Sequence, residues 1–273
     1  MSRSTQSPAN SEDDAVSLRG PLQRPTDAKP LRTPQERMVR EEVAKLFLSN
    51  DEPIETRLDN AVKYMSRGTI TRFLALYEVF KRALPIKGSV VECGVNRGFG
   101  LMTWAKLGAI LEPVNLTRRI YGFDSFAGFP SIAAKDRTGP AWETAAPGGL
   151  HADSYEELLQ LIELHDKDRF LGHVPKIELI KGDATKTIPA FIADHPHLVV
   201  SLLFMDFDLY EPTKVALEHF VPRMPKGAII AFDELDNPLW PGETNALIDT
   251  LGMGKLQLER LEFDPYVAFA KIS

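Results

Sequence analysis

Acidic side chains stand at the ends of successive short apolar runs in this chain. Asp124 closes Ile120-Tyr121-Gly122-Phe123, and Asp183 follows Ile177-Glu178-Leu179-Ile180 by way of Lys181-Gly182. Asp206 and Asp208 close the strongly apolar run from Leu198 to Met205, and Asp233-Glu234 closes Gly227 to Phe232. One Asp at such a place is unremarkable, because it also caps the next helix. The repetition predicts a single crevice that receives something cationic or rich in hydroxyls, since unpaired carboxylates are costly to gather. If the last two runs are neighbouring strands, Asp206, Asp208, Asp233 and Glu234 share one small region. Like charges at that density raise one another's pKa or collect a cation. All-oxygen ligands favour Mg²⁺, Mn²⁺ or Ca²⁺ over zinc, and Mg²⁺ keeps positions free for water or a substrate oxygen. Asp206, Asp233 and Glu234 are therefore the expected metal ligands. Asp206 and Asp208 are the candidate catalytic residues, Asp208 as the base. The alternative is a solvated acidic rim that only caps helices.

The first apolar run ends differently. Ser89-Val90-Val91 leads into Glu92-Cys93-Gly94, with Gly98 and Gly100 beyond. A dinucleotide site wants G-x-G-x-x-G, so that a pyrophosphate rests on a helix N-terminus. Here the spacing from Gly94 is longer, and Glu92 would repel a pyrophosphate. An acid at that place suits a cationic ligand such as the aminoacyl sulfonium end of S-adenosylmethionine, which is expected ahead of NAD. Asp124 is placed to accept from both ribose hydroxyls, and Asp183 from the adenine amino group. A turn or cap is the alternative reading of each. A sulfonium donor beside a divalent ion describes methyl transfer to oxygen. The ion acidifies and orients a reluctant hydroxyl, a carboxylate takes its proton, and the oxygen attacks the methyl group in line.

The elements that must position these residues follow from periodicity. Thr33-Pro34-Gln35-Glu36 reads as a capping box that opens a helix to about Asn50. A second helical stretch covers roughly 69–84, with Ile70, Phe73, Leu74, Tyr77, Phe80 and Leu84 at helical spacing. From residue 89 onward apolar runs alternate with helical stretches near 100–111, 154–165, 187–194, 212–223 and 241–251. Two adjacent strands, 256–262 and 266–272, end the chain. This order predicts an open, doubly wound α/β sheet whose ligands bind beyond the carboxyl ends of its strands. Residues 126–152 hold Gly, Pro, Ala and charges without period and read as a long loop, where Trp142 and His151 are candidates to touch an acceptor. His195 and His197 read as solvent-exposed, His219 as packing, and Cys93 as a small apolar core residue. Trp240 is a candidate wall of the acceptor pocket.

Several stretches together resemble the macrocin O-methyltransferase (TylF-like) family. They are Val91-Glu92-Cys93-Gly94-Val95-Asn96-Arg97-Gly98, Tyr121-Gly122-Phe123-Asp124-Ser125-Phe126-Ala127-Gly128-Phe129-Pro130, Lys181-Gly182-Asp183, Met205-Asp206-Phe207-Asp208-Leu209-Tyr210-Glu211-Pro212-Thr213 and Phe232-Asp233-Glu234. They span about residues 60–250 in the family's order. The resemblance implies a Rossmann-like class I methyltransferase fold: an α/β, seven-stranded, mostly parallel sheet with helices on both faces, plus N-terminal helices. It implies S-adenosylmethionine and Mg²⁺ as cofactors and a sugar or glycosylated natural product as the hydroxyl acceptor. It also implies Glu92 and Gly94 at the methionine end, Asp124 at the ribose and Asp183 on the adenine side, with Ser125 a further cofactor-binding residue. Tyr64, Met65 and Ser66 fall where the family closes over the cofactor. The expected organisation is a disordered tail over 1–32, a helical extension over 33–86 and the methyltransferase domain over 87–273.

Composition removes other classes. The chain has 273 residues, 32 Lys and Arg against 38 Asp and Glu, and a net charge of −6, which argues against a nucleic-acid binder. No apolar run approaches the ~18 residues that read as a membrane span. The single cysteine cannot build an internal disulfide or a multi-cysteine zinc site. Residues 1–32 lack the apolar core of a secretory signal and carry acids that a transit peptide avoids, so the protein is expected in the cytoplasm. Its expected partners are a small-molecule hydroxyl acceptor and further copies of itself, with no nucleic acid and no membrane. Two other readings stay open: a non-catalytic S-adenosylmethionine-binding or assembly protein, and a nucleotide-dependent oxidoreductase on the same fold.

Overall fold

The computed structural model describes residues 33–138 and 146–273. The tail expected over 1–32 and Trp142 lie outside the described residues. One sheet contains β1 Ser89–Cys93, β2 Ile120–Asp124, β3 Ile177–Lys181, β4 Val200–Met205, β5 Ile229–Phe232, β6 Glu259–Arg260 and β7 Ala268–Lys271. Its order is β3-β2-β1-β4-β5-β7-β6. Strands β1 to β5 are parallel, β7 runs antiparallel to β5, and β6 antiparallel to β7. The expected seven-stranded, mostly parallel sheet is present. Its order reverses between β1 and β4, and such a switch point opens a crevice beyond the strand ends.

The helices are α1 Pro34–Ser49, α2 Ile54–Asp59, α3 Arg67–Ala83, α4 Phe99–Leu111, α5 Tyr155–Asp168, α6 Ala184–Asp194, α7 Tyr210–Phe220 and α8 Gly242–Thr250. Strand alternation divides the core into two layers. Val90, Leu202, Phe204, Ile229 and Ala231 meet α3, α4 and α5 on one face, where Leu76, Phe80, Leu101, Trp104 and Leu158 pack. Val91, Leu203, Met205, Ile230 and Phe232 meet α6, α7 and α8 on the other, where Ile188, Leu217, Phe220 and Leu247 pack. All six residues of β4 are buried, as befits a central parallel strand covered on both sides. Cys93 is buried in the second layer.

Helix α3 is a full member of the first layer, burying Ala75, Leu76, Val79, Phe80 and Ala83. The capping box of α1 forms as expected, with Thr33 Oγ1 accepting from Glu36 N at 3.2 Å and Glu36 Oε2 from Thr33 N at 2.8 Å. Yet α1 and α2 bury no residue.

Several expectations need correction. Helix α2 and the 3₁₀ turn Ala61–Tyr64 have too few residues to show a period and were not foreseen. Helix α6 starts three residues earlier than its apolar pattern, because Asp183 Oδ1 caps it by accepting from Thr185 N at 3.0 Å. The strand expected over 256–262 shrinks to Glu259–Arg260. The long loop contains a 3₁₀ turn, Ala134–Thr138, and closes on itself where Gly148 N donates to Phe129 O at 2.9 Å. His195 is half-buried rather than exposed, stacked on Phe191 at 4.0 Å, whereas His197 is exposed. His219 packs as expected, with Nδ1 2.9 Å from Val215 O.

Phe80 stacks on Trp104 at 6.1 Å between α3 and α4 and is almost fully buried. Phe80→Ala should lower stability by about 3–5 kcal/mol in urea unfolding. A loss under about 1 kcal/mol would show that α3 is not part of the cooperative core.

Candidate active site

The parallel ladder continues one residue past the strands and brings their tips together. Gly94 N donates to Phe123 O at 2.9 Å, Asp206 N to Cys93 O at 2.7 Å, Asp233 N to Met205 O at 2.9 Å and Gly182 N to Asp124 O at 2.9 Å. Each acidic tip is thus fixed by the backbone of its neighbour. Gly94 has φ +98°, and a Cβ there would lie 1.9 Å from the Asp206 carbonyl oxygen. Only glycine permits this approach of β1 to β4.

A cleft of about 770 Å³, open to solvent, lies over these tips. Gly94, Asp124, Ser125, Asp183, Asp206 and Asp208 line it, together with apolar Phe129, Pro130 and Leu150. Asp124 accepts three backbone amides: Val95 N and Asn96 N at Oδ2, both 2.8 Å, and Phe126 N at Oδ1, 2.7 Å. Its carboxylate therefore shapes the glycine loop as well as facing the cleft. Ser125 Oγ donates to Gly128 O at 2.6 Å. Asp183 is both the cap of α6 and a cleft residue, so the two readings of it coexist. Trp240 is buried and meets Phe129 edge-on at 5.7 Å, behind the cleft wall. His151 is exposed.

Glu92, the segment Tyr64–Ser66, Asp233 and Glu234 are not among the lining residues, and Asp233 meets the cleft only beside Asp206. Glu92 is buried at the foot of α4, where a Cβ on Gly100 would sit 1.9 Å from its Oε1. Its Oε2 has no hydrogen-bond partner. Tyr64 is held by Asn50, whose Nδ2 donates to its hydroxyl at 2.6 Å, and by Phe47 at 5.1 Å. Met65 is exposed, and Ser66 caps α3 by accepting from Thr69 N at 3.0 Å.

Beside the cleft, Asp206 meets a cation that sequence reasoning missed. Arg72 of α3 lies over the Phe204 ring, 5.2 Å from its centroid. It donates to Asp206 Oδ2 at 2.8 Å and contacts Asp233 Oδ1. Asp206 and Asp233, on adjacent strands, thus converge on one guanidinium. Glu234 is held separately, accepting from Asn237 Nδ2 at 2.8 Å. The side chains fit a hard divalent ion in donor type and charge, and Arg72 is a stand-in cation between two of them. As they stand, no group of three or more His, Cys, Asp or Glu that could hold a metal ion occurs among the described residues. Asp206 and Asp208 both line the cleft. The strand ends at Met205, and Asp208 has a left-handed φ of +62°.

One guanidinium does not balance this crowd. Burial, then Asp206 and Glu234, push the Asp208 carboxyl well above the carboxylate range. Burial raises Asp206 too, against the pull of Arg72. Glu234 is pushed up to about 7, by burial first and by Asp206 second. A raised carboxyl pKa means that the folded chain holds a proton which the unfolded chain has released. Stability therefore falls as pH rises from about 4.5 to about 7. Glu234→Gln should remove on the order of 1–2 kcal/mol of that fall, allowing for solvent screening. Urea unfolding of both proteins in EDTA at the two ends of the window measures it, and equal pH slopes would contradict the assignment.

The macrocin O-methyltransferase (TylF) family profile matches residues 70–249. No match was found among curated proteins. Among solved structures, CalS11, a calicheamicin methyltransferase, is similar at 36% identity, covering 88% of this chain and 93% of its own, with a TM-score of 0.84. The apo structure of CalS11, described as a TDP-rhamnose 3′-O-methyltransferase, is similar at 34% identity over 88% of this chain and 95% of its own, with a TM-score of 0.76. The O-methyltransferase NovP shares the fold at 20% identity, covering 75% of this chain and 80% of its own, with a TM-score of 0.56. The profile covers well over half of the chain, and CalS11 is similar over most of it: the chain belongs to the macrocin O-methyltransferase (TylF) family and is an S-adenosylmethionine-dependent O-methyltransferase.

Proposed function

We propose that the protein methylates a hydroxyl of a sugar, either on a glycosylated natural product or on a nucleotide-linked sugar, with the help of Mg²⁺. The observation that carries this reading is the convergence of Asp206 and Asp233 on one cation position at the rim of the cleft. The similarity to CalS11, whose description names a sugar hydroxyl as its target, supports the acceptor class. When bound, S-adenosylmethionine supplies an electrophilic methyl group on a sulfonium, and a divalent ion acidifies a hydroxyl.

The chain's own residues do the rest. Gly94, Asp124, Ser125 and Asp183 line the cofactor side of the cleft, and Glu92 places a buried carboxyl behind it. Asp206, Asp233 and Glu234 would hold the ion, for which Arg72 must withdraw. Ser66 caps the helix that carries Arg72, so a shift of α3 that frees the carboxylates also moves Tyr64, Met65 and Ser66. Asp208 takes the hydroxyl proton at its carboxylate. Burial and the neighbouring acids raise its affinity for a proton, and a divalent ion held at Asp206 would favour its ionised form. Residues 87–273 carry the catalytic fold in this reading, with α3 completing its core and 33–66 as its cover. A second copy of the chain would cover α1 and α2, whose Met38, Val39, Leu46, Leu48, Ile54 and Leu58 are exposed. No helix among the described residues is long and apolar enough to cross a membrane.

Asp206→Asn should reduce transfer by at least about 100-fold while the affinity for S-adenosylmethionine, measured by calorimetry, stays within a few-fold. TDP-rhamnose is the first acceptor to try. EDTA should abolish transfer and Mg²⁺ restore it. Full activity in EDTA would remove the metal from this reading, and parallel loss of transfer and cofactor affinity in Asp206→Asn would assign the residue to the cofactor or the fold. A protein that sediments as a monomer at micromolar concentration would exclude the second copy.

A further inference from the structure

We propose that Glu243 is a positioning residue for the transfer reaction: its carboxyl clamps the backbone at the tips of β4 and β5 and so fixes Asp208 and Glu234 in relation to each other. Glu243 lies in the first turn of α8 and is fully buried. Its Oε1 accepts from Phe207 N at 3.1 Å and from Asp208 N at 3.4 Å. Its Oε2 accepts from Glu234 N at 3.4 Å. One carboxyl therefore reaches two loops that carry the acidic residues of the site. Asp136 holds the far side of the β4 loop, with Oδ1 accepting from Tyr210 N at 2.7 Å.

The placement is costly, which is why it needs a reason. Among the described residues no Lys or Arg pairs with Glu243, and Asp206, Asp208 and Glu234 are its charged surroundings. Only amide donors and the positive end of α8 favour a carboxylate there. A buried acid without a cation is a poor choice for stability alone. It does suit a turn that must be held against its own preference. Asp208 has φ +62°, a left-handed conformation that disfavours residues with a Cβ. The first turn of α8 is pressed against that turn: a Cβ on Gly242 would lie 2.4 Å from Asp208 O and 2.6 Å from Tyr210 N. Glycine at 242 thus permits the approach, and Glu243 uses it to bind both tips. Two acceptor oxygens are required. The Gln side chain has one oxygen, and its amide would meet the other tip donor to donor.

The inference rests on the reading that Asp208 and Glu234 take part in the chemistry. Full-length Glu243→Gln tests it. Amide hydrogen exchange should quicken at least about tenfold at one tip, either Phe207 and Asp208 or Glu234, and not at both. Transfer to TDP-rhamnose should show kcat reduced at least about tenfold, with the dissociation constant of S-adenosylmethionine within about twofold. Unchanged exchange at both tips overturns the clamp. Wild-type kcat, or kcat and cofactor affinity falling together, overturns the positioning role. If Glu243→Gln does not fold, Glu243→Asp, which keeps two oxygens on a shorter arm, carries the same measurements. If the wild type does not methylate TDP-rhamnose, the acceptor reading fails and the exchange rates alone decide on Glu243. If Asp206→Asn retains full transfer, the catalytic reading fails. If it loses transfer while Glu243→Gln keeps it, only the clamp fails.

Discussion

The site depends on the contact between the backbone of Gly94 and the carbonyl of Asp206. Parallel pairing of β1 with β4 sets it, and the absence of a side chain at 94 allows it. Because β4 also pairs with β5, and β1 with β2, the same registration carries through to Asp233 and Asp124. Asp206 and Asp233 therefore stand one strand spacing apart, about 4.8 Å, and Asp124 stands two strands from Asp206, across Gly94 at the tip of β1. No side chain needs to reach far, and the crevice at the switch point is formed by backbone before any side chain is chosen.

These acids create an electrostatic debt which the fold does not discharge by itself. Arg72 answers Asp206 and Asp233, but Asp208, Glu234, Glu243 and Glu92 keep carboxyls raised by burial first and by neighbouring acids, Asp206 above all, second. Stability would be better served by apolar or amide side chains at these places. A reaction that handles a positive donor and a reluctant hydroxyl needs negative, proton-accepting oxygens instead. The apolar layers on either side of the sheet, with Trp104, Phe204 and Phe220 fully buried, supply the stability that the tips forgo.

Helix α3 joins the core to the acidic strand tips. Its apolar stripe completes one face of the core, and Arg72, on the same helix, reaches the acids at the tips of β4 and β5. Helices α1 and α2 stand outside this unit, with their apolar side chains unburied.

The sequence by itself determined the strands, their acidic ends and the glycine that β1 requires, because strand periodicity and the residue that closes each run are local properties. It also identified the family through stretches such as Phe123-Asp124-Ser125-Phe126-Ala127-Gly128-Phe129-Pro130, whose order is preserved along the chain. Only the tertiary structure decided which charged groups meet. Arg72 lies 134 positions from Asp206, and Glu243 lies 36 positions from Phe207. In the sequence Arg72 is one polar residue on an amphipathic helix, and Glu243 is one acid in a helical first turn. Asp136 sits in a loop without period and becomes a buried anchor for α7 only through folding. Pairing between distant residues leaves no periodic trace, since periodicity records which face of an element is buried and not what is buried against it.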